Sequence, residues 1–306
     1  MRGQTGGPAV RLVAVGGICT TTLYRVAAVP PLPGKVLAHD AAEVVDGMAV
    51  SAACAFVRLG GAASVWGRVG DDARGGAMRA ALAEAGLDVA AVRLVPGGRS
   101  SIAVAVIDDR GDRLVVPYHD TSLDQSADWL PLQDLGGVDF VHVDTRWPEG
   151  AAAALVAARR AGVPGMLDAD VAPPEVLSAL VPLASHAVFS DAGLFLHAGT
   201  DDLEEALRRV ADRHAGHVGA SCGAEGYAWI EDGDVRRVPA PRIDAVDTLA
   251  AGDVFHGAFA LRLAERAAIE EAAGFACLAA SLKCTRFGGR LGCPTRAEVE
   301  AFARGS

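Results

Sequence analysis

Asp247-Thr248-Leu249-Ala250-Ala251-Gly252-Asp253 decides the reading of this chain, because a long apolar helix pattern follows it at once. Small residues at 250–252 let the backbone turn tightly and leave its N–H groups uncovered. The helix they open carries a positive dipole end and unsatisfied donors, so the turn is an anion site. Asp253 sits inside it. A carboxylate there makes chemical sense when the anion arrives on a substrate and the carboxylate takes a proton from the attacking group. That is the arrangement phosphoryl transfer needs. The plainer alternative is a helix N-cap with small residues for packing. It suits an isolated Gly-Asp better than this spacing, in which Asp247 and Thr248 brace the turn and a second Asp closes it.

Downstream, 248–266 and 269–283 read as two long helices. Upstream, short apolar strands at 11–15, 63–69, 139–143, 165–168, 187–190 and 217–222 alternate with helical patterns at 48–59, 72–84, 149–161, 174–181 and 203–213. This alternation predicts an α/β fold, a parallel sheet with helices on both faces. Two segments break the rhythm. Residues 20–45 alternate polar and apolar, with Pro30, Pro31, Pro33 and Gly34 at a turn. Residues 99–119 read as a hairpin around Asp108-Asp109-Arg110-Gly111. Together they predict a small antiparallel sheet projecting from the main domain. Such a sheet cannot stand in water alone, so it must cover the active site, a second subunit, or both.

The chain has 306 residues, 51% hydrophobic and 22% charged, enough for one substantial core. Acidic residues outnumber basic ones 38 to 28, and the net charge of −10 argues against a nucleic-acid partner. A nucleotide must then find its positive charge locally, at helix ends, on magnesium and on a few Arg or Lys. None of the six cysteines forms a Cys-x-x-Cys pair and most sit in apolar runs, which reads as buried thiols in a reduced cytoplasm. Residues 1–8 have no apolar signal-peptide core, and no apolar run is long enough to cross a membrane.

The 247–253 stretch resembles the C-terminal signature of the PfkB, or ribokinase-like, carbohydrate kinases. A second signature is Gly60-Gly61-Ala62-Ala63-Ser64-Val65-Trp66-Gly67-Arg68-Val69-Gly70-Asp71-Asp72. The resemblance runs from about residue 10 to about residue 300, read as a single kinase domain. Within the family the likeness is nearest to bacterial sulfofructose kinases and more distant to ketohexokinases. Asp144-Thr145-Arg146-Trp147, Leu167-Asp168-Ala169-Asp170, 252–258 and 282–290 carry it. It implies a three-layer α/β/α sandwich with a β lid from 20–45 and 99–119, often a dimer clasp. It also implies ATP-dependent phosphorylation of a primary sugar hydroxyl, with Mg2+ and, in some members, K+.

On this resemblance Asp253 is the general base, and the N–H groups of Ala250, Ala251 and Gly252 stabilise the transferred phosphoryl group. No Gly-Lys-Ser/Thr occurs, so the nucleotide binds without a P-loop. Ser221 and the turn Gly223-Ala224-Glu225-Gly226 resemble the loop at the nucleotide phosphates. The 283–292 segment resembles the loop flanking adenine and a monovalent cation, and places Lys283 and Gly288, with Thr248, at the cofactor. Ser190-Asp191-Ala192-Gly193 stands where many members carry an Asn-x-x-Glu magnesium motif, and Asp168 and Asp170, at a strand end, are the candidates to orient magnesium-bound water. A helix cap or strand-end turn is the plainer reading of both.

For the sugar, Thr21 stands where the family usually has Asp, while Gly47 and Ser51 fall in its Gly-Gly-x-x-x-Asn pattern. Asp46 either supplies the missing charge or simply starts the helix. Arg146 and Lys35 match sulfonate-contact positions and would suit a ketose with an anionic end, such as sulfofructose. A strand-end salt bridge and a solvated lid lysine are the alternatives. A third such position is Pro117, which offers no donor. A neutral sugar or nucleoside acceptor, and a non-catalytic binding protein on the same scaffold, remain the rival readings. His256 falls near Asp253 on the helix, behind the base rather than in its place.

Overall fold

The computed structural model describes residues 9–29 and 34–305; the turn expected at Pro30, Pro31 and Pro33 and the reading of residues 1–8 lie outside them. The strands are β1 (Arg11–Gly16), β2 (Cys19–Val26), β3 (Asp40–Asp46), β4 (Ala62–Gly70), β5 (Val92–Val95), β6 (Ser101–Asp108), β7 (Arg113–Tyr118), β8 (Phe140–Val143), β9 (Gly165–Ala169), β10 (His186–Ser190), β11 (His217–Ser221), β12 (Tyr227–Glu231) and β13 (Asp234–Val238). The helices are α1 (Met48–Arg58), α2 (Ala73–Glu84), α3 (Pro148–Ala161), α4 (Pro174–Leu180), α5 (Asp191–Ala198), α6 (Leu203–Ala211), α7 (Ala251–Ala264), α8 (Ile269–Cys284) and α9 (Arg296–Ala303).

Nine strands form one sheet in the order β13-β12-β11-β10-β9-β8-β1-β4-β5. From β11 to β5 every pairing is parallel. Helices cover both faces of these strands, so β8 and β9 are buried along their whole length. β12 and β13 add an antiparallel edge through the Asp232-Gly233 turn, whose two residues have φ of 52° and 83°. Both values suit a primed hairpin turn.

One face packs α1, α7 and α8 around Phe56, Phe259 and Ala276; the other packs α3 to α6 around Trp147, Phe189 and Leu207. α7 is buried without a break from Val254 to Leu261, so it is a central helix rather than an amphipathic surface one. A Cβ on its Gly257 would lie 2.2 Å from Ala52 O, which sets how closely α1 and α7 approach.

The expected small sheet is present, in the order β3-β2-β6-β7. Its two hairpins are antiparallel and meet along a parallel seam between β2 and β6. Leu23, Val44, Ala105 and Ile107 bury its inner face, packed against Leu249 and Phe287. The small sheet is thus seated directly on the 247–253 turn. Its other face leaves Tyr24, Ile102, Val104, Leu114, Val116 and Tyr118 exposed.

Candidate active site

β11, β10, β9, β8 and β1 are parallel neighbours, so their carboxyl ends share one rim, where folds of this kind place ligands. Ser221, Ser190, Asp168 with Asp170, Asp144 with Arg146, and Gly16-Gly17 stand along it. The amino end of α7 reaches the same rim: His256 Nε2 lies 3.4 Å from Val188 O of β10, and Nδ1 lies 3.5 Å from Asp168 Oδ2 and 2.8 Å from Gly252 O.

Ala250 caps α7 in the left-handed conformation (φ 61°, ψ 15°), and no side chain caps that end. A left-handed alanine costs about 1–2 kcal/mol, held at the position where the turn reverses. The Ala251 N–H folds back onto Thr248 O at 3.3 Å. The N–H groups of Ala250, Gly252 and Asp253, which have no such partner, are therefore the open donors for an anion. Asp253 is half-buried. Burial, and then the negative charges of Asp168, Asp46, Asp170 and Asp144, hold its carboxyl well above the usual carboxylate range.

Asp247 is wholly buried and ties the turn together. Its Oδ1 accepts the Leu249 N–H at 2.8 Å; its Oδ2 accepts the N–H groups of Gly288 at 3.0 Å and Gly289 at 2.7 Å. Lys283 Nζ donates to Asp247 O at 2.6 Å. Thr248 Oγ1 donates to Gly111 O at 3.1 Å, in the β6–β7 loop, and accepts from Arg113. Thr248, Lys283 and Gly288, expected at the cofactor, are thus engaged in building the turn itself.

Thr21 and Ser51, two buried hydroxyls, converge on one carboxylate. Thr21 Oγ1 donates to Asp46 Oδ2 at 3.5 Å and Ser51 Oγ donates to Asp46 Oδ1. Asp46 ends β3 and is buried. It is one of the charges felt by Asp253. Gly47, between β3 and α1, has φ 137°, and a Cβ there would lie 2.1 Å from Gly17 O. No other residue fits that crossing.

Asp144 is a site residue that sequence reasoning did not single out. It is fully buried, and accepts from the N–H groups of Ala49 at 3.1 Å, Arg146 at 2.8 Å and Gly17, 3.2 Å from its Oδ2. It so pins the end of β1 to the start of α1. A Cβ on Gly16 would lie 2.1 Å from Asp144 Oδ2, so the carboxylate can reach the end of β1 only past a glycine. Arg146, predicted to face an anionic tail, donates to Asp170 Oδ2 at 3.2 Å and to Val171 O at 3.0 Å. Lys35 is exposed in the connection between β2 and β3, and Pro117 is exposed in β7.

Asp168 is buried, and that burial, reinforced by Asp170 and Asp144 and opposed by His256, pushes its carboxyl up to about 6. Asp170 Oδ1 accepts from Ser190 Oγ at 2.9 Å, and Ser190 caps α5 by accepting from the Gly193 N–H at 3.0 Å. A Cβ on Gly193 would lie 2.2 Å from Ala169 O, so the backbone leaves no room for a side chain at that position. Among the described residues no three His, Cys, Asp or Glu side chains are grouped to hold a metal ion. Ser221 Oγ donates to Phe189 O at 3.3 Å. The turn after it closes through Cys222 N–H to Gly226 O at 2.8 Å, and a Cβ on Gly226 would lie 2.0 Å from Val238 O. A cleft of about 730 Å³ between β3 and α2 does not include Asp253.

The model of the pfkB family carbohydrate kinases matches residues 10–296, and the chain belongs to that family. It is similar to an ATP-dependent ribose-1-phosphate kinase of Halopiger xanaduensis, 28% identical over 303 residues that cover 96% of this chain and 98% of that protein. A solved structure from Agrobacterium tumefaciens, provisionally assigned as a ribokinase, matches with a TM-score of 0.93 at 41% identity, covering 97% of this chain and 98% of that one. Arabidopsis thaliana ribokinase, solved with ribose and ATP, shares the fold with a TM-score of 0.81 at 24% identity over 97% and 100% of the two chains. The chain is a sugar kinase of the ribokinase type, and the predicted α/β sandwich and carbohydrate-kinase class both stand.

Proposed function

We propose that this kinase transfers the γ-phosphoryl group of ATP to a primary hydroxyl of a sugar that carries an anionic substituent, a phosphate or a sulfonate. The observation that carries the transfer is Asp253 inside an uncapped helix start, beside the Thr21–Asp46–Ser51 cluster. Asp46, Thr21 and Ser51, positioned by Gly47, bind sugar hydroxyls. Asp253, its carboxyl held high by burial and its acidic neighbours, takes the proton of the attacking hydroxyl. The hydroxyl oxygen then bonds to the γ-phosphorus as the bond to ADP breaks. The open N–H groups of α7 receive the charge that develops on the phosphoryl oxygens. Ser221 and the Gly223–Gly226 turn border the nucleotide phosphates.

Magnesium bound with ATP would offset the charge of the phosphates. The side chains present fit it through water rather than by direct ligation. Asp170, partly exposed, is the carboxylate best placed for that, and Asp168 supports it from below. The anionic end of the acceptor would meet Arg146, with Lys35 from the lid. The Halopiger relative, whose named substrate is a sugar phosphate, supports this direction. A neutral pentose or ketose is the second reading, favoured by the Asp170 partner that Arg146 already has.

The small sheet would close over the turn as a lid that excludes water. Its exposed apolar face would clasp the same face of a second subunit. An ATP-containing, reducing cytoplasm suits six free cysteines. The test is ADP release from Mg-ATP with ribose, fructose, ribose 1-phosphate, sulfofructose, phosphorylated ketoses and nucleosides. Preference for an anionic sugar supports the first reading, preference for ribose or fructose the second, and binding without turnover a non-catalytic protein.

A further inference from the structure

The resemblance of 283–292 implies a monovalent cation beside the anion turn. Such an ion needs hard oxygen ligands left free by the protein. At the entry to the turn, each oxygen of Asp247 already has a partner. Its Oδ1 accepts from Leu249 N–H at 2.8 Å and lies 3.5 Å from Lys283 Nζ. Its Oδ2 accepts from the Gly288 and Gly289 N–H groups, and its carbonyl O accepts from Lys283 Nζ at 2.6 Å.

Lys283 comes from the last turn of α8, where the helix dipole favours a positive charge. Its side chain is wholly buried. A buried ammonium without partners is strongly unfavourable, and the carboxylate and carbonyl of Asp247 are the partners that make it tenable. Burial draws the Lys283 pKa down while Asp247 pushes it back up. A K+ ion among the same oxygens would sit against the ammonium.

We propose that Lys283 supplies, from within the chain, the fixed positive charge that a monovalent cation would otherwise supply at the entry to the anion turn. The protein then has no K+ requirement. A tethered cation cannot dissociate, so the turn keeps its anion-binding shape whatever the salt. The activity part of this inference rests on the sugar-kinase reading of the site; the part concerning Lys283 itself does not.

The experiment measures thermal melting of the wild-type chain in KCl and in choline chloride at matched ionic strength, and then ADP release in both. The expected result is no K+-specific change in either. Lys283→Ala should melt lower in choline chloride, with KCl restoring part of its melting temperature and turnover as K+ enters the vacated site. A saturable K+-specific rise in wild-type melting temperature, or K+ activation of the wild type beyond about tenfold, overturns the proposal. So does a Lys283→Ala chain as stable and active as wild type in choline chloride. If that variant does not fold, Lys283→Met replaces it: turnover lost by about tenfold or more without K+ supports the proposal, and wild-type turnover overturns it. The melting comparison needs no acceptor, so a chain that phosphorylates none of the sugars tried still reports on Lys283.

Discussion

Arg146 donates to the Asp170 carboxylate at 3.2 Å across the rim between β8 and β9. This pairing sets how the site treats a charged acceptor, because an incoming anion must compete with Asp170 for the same guanidinium. Arg146→Ala should lower kcat/KM for a phosphate- or sulfonate-bearing sugar by about 10–100-fold, the worth of a charge-assisted hydrogen bond, and change a neutral sugar by less than about threefold. Asp170→Asn should shift the ratio toward anionic acceptors. Steady-state kinetics on one acceptor of each kind reads both. Equal losses on both acceptors would remove Arg146 from substrate selection.

Thr21, Asp46 and Ser51 form one hydrogen-bonded unit, so their substitutions should not add independently. Thr21→Val and Ser51→Ala should each raise KM for the acceptor by about 3–10-fold with little change in kcat, the signature of uniform binding. Asp46→Ala should cost on the order of 100-fold in kcat/KM, because it removes the carboxylate on which both hydroxyls converge. The KM for ATP should stay within about twofold in all three variants.

The raised pKa of Asp253 has opposite consequences for turnover and for stability. Turnover needs the carboxylate, so it rises with pH through the elevated value. Stability runs the other way. Between the ordinary carboxylate pKa and the elevated one, the folded chain keeps a proton that the unfolded chain has released. The stabilisation is therefore present at low pH and lost as pH rises through the folded pKa. Asp253→Asn should then be more stable than wild type above that window, by on the order of 1 kcal/mol or about 2 °C in Tm. Melting curves of both proteins across the window measure the difference. A variant less stable than wild type at every pH would contradict it.

The apolar outer face of the small sheet predicts a homodimer. Tyr24, Val104 and Val116 are exposed on it; Val104 lies directly opposite Val116, and Tyr24 stands opposite Val106, two residues along β6. Light scattering should give twice the mass of the chain, and Val104→Asp with Val116→Asp should give a monomer, since a carboxylate cannot be buried unpaired in an apolar contact. A wild-type monomer at all concentrations would remove the clasp and leave the lid.

Much of this fold was legible because its signals are local. The 247–253 turn announces itself through three small residues between two aspartates, and 101–118 through alternation around a Gly-containing loop. The β12–β13 hairpin was equally local, with Asp232-Gly233 at its turn, but went unread. α5 was missed because its eight residues offer too little periodicity to separate a helix from a strand-end turn. Asp144 was illegible as a site residue for a different reason. Its partners, Gly17 and Ala49, are 127 and 95 residues away in the chain, and meet it only once β1, β8 and α1 are assembled. The role of Arg146 was open for the same reason: only the folded rim shows Asp170 as its partner.

The most direct test of Asp253 as the base is to compare wild type and Asp253→Asn in two measurements, ADP release with the preferred acceptor and ATP binding by calorimetry. The account predicts that kcat falls by about 10²–10⁴-fold, the range for removal of a general base, while the Kd for ATP changes by less than about threefold. A variant that keeps turnover within about tenfold of wild type would contradict it, and would move the proton acceptor to another group on the rim.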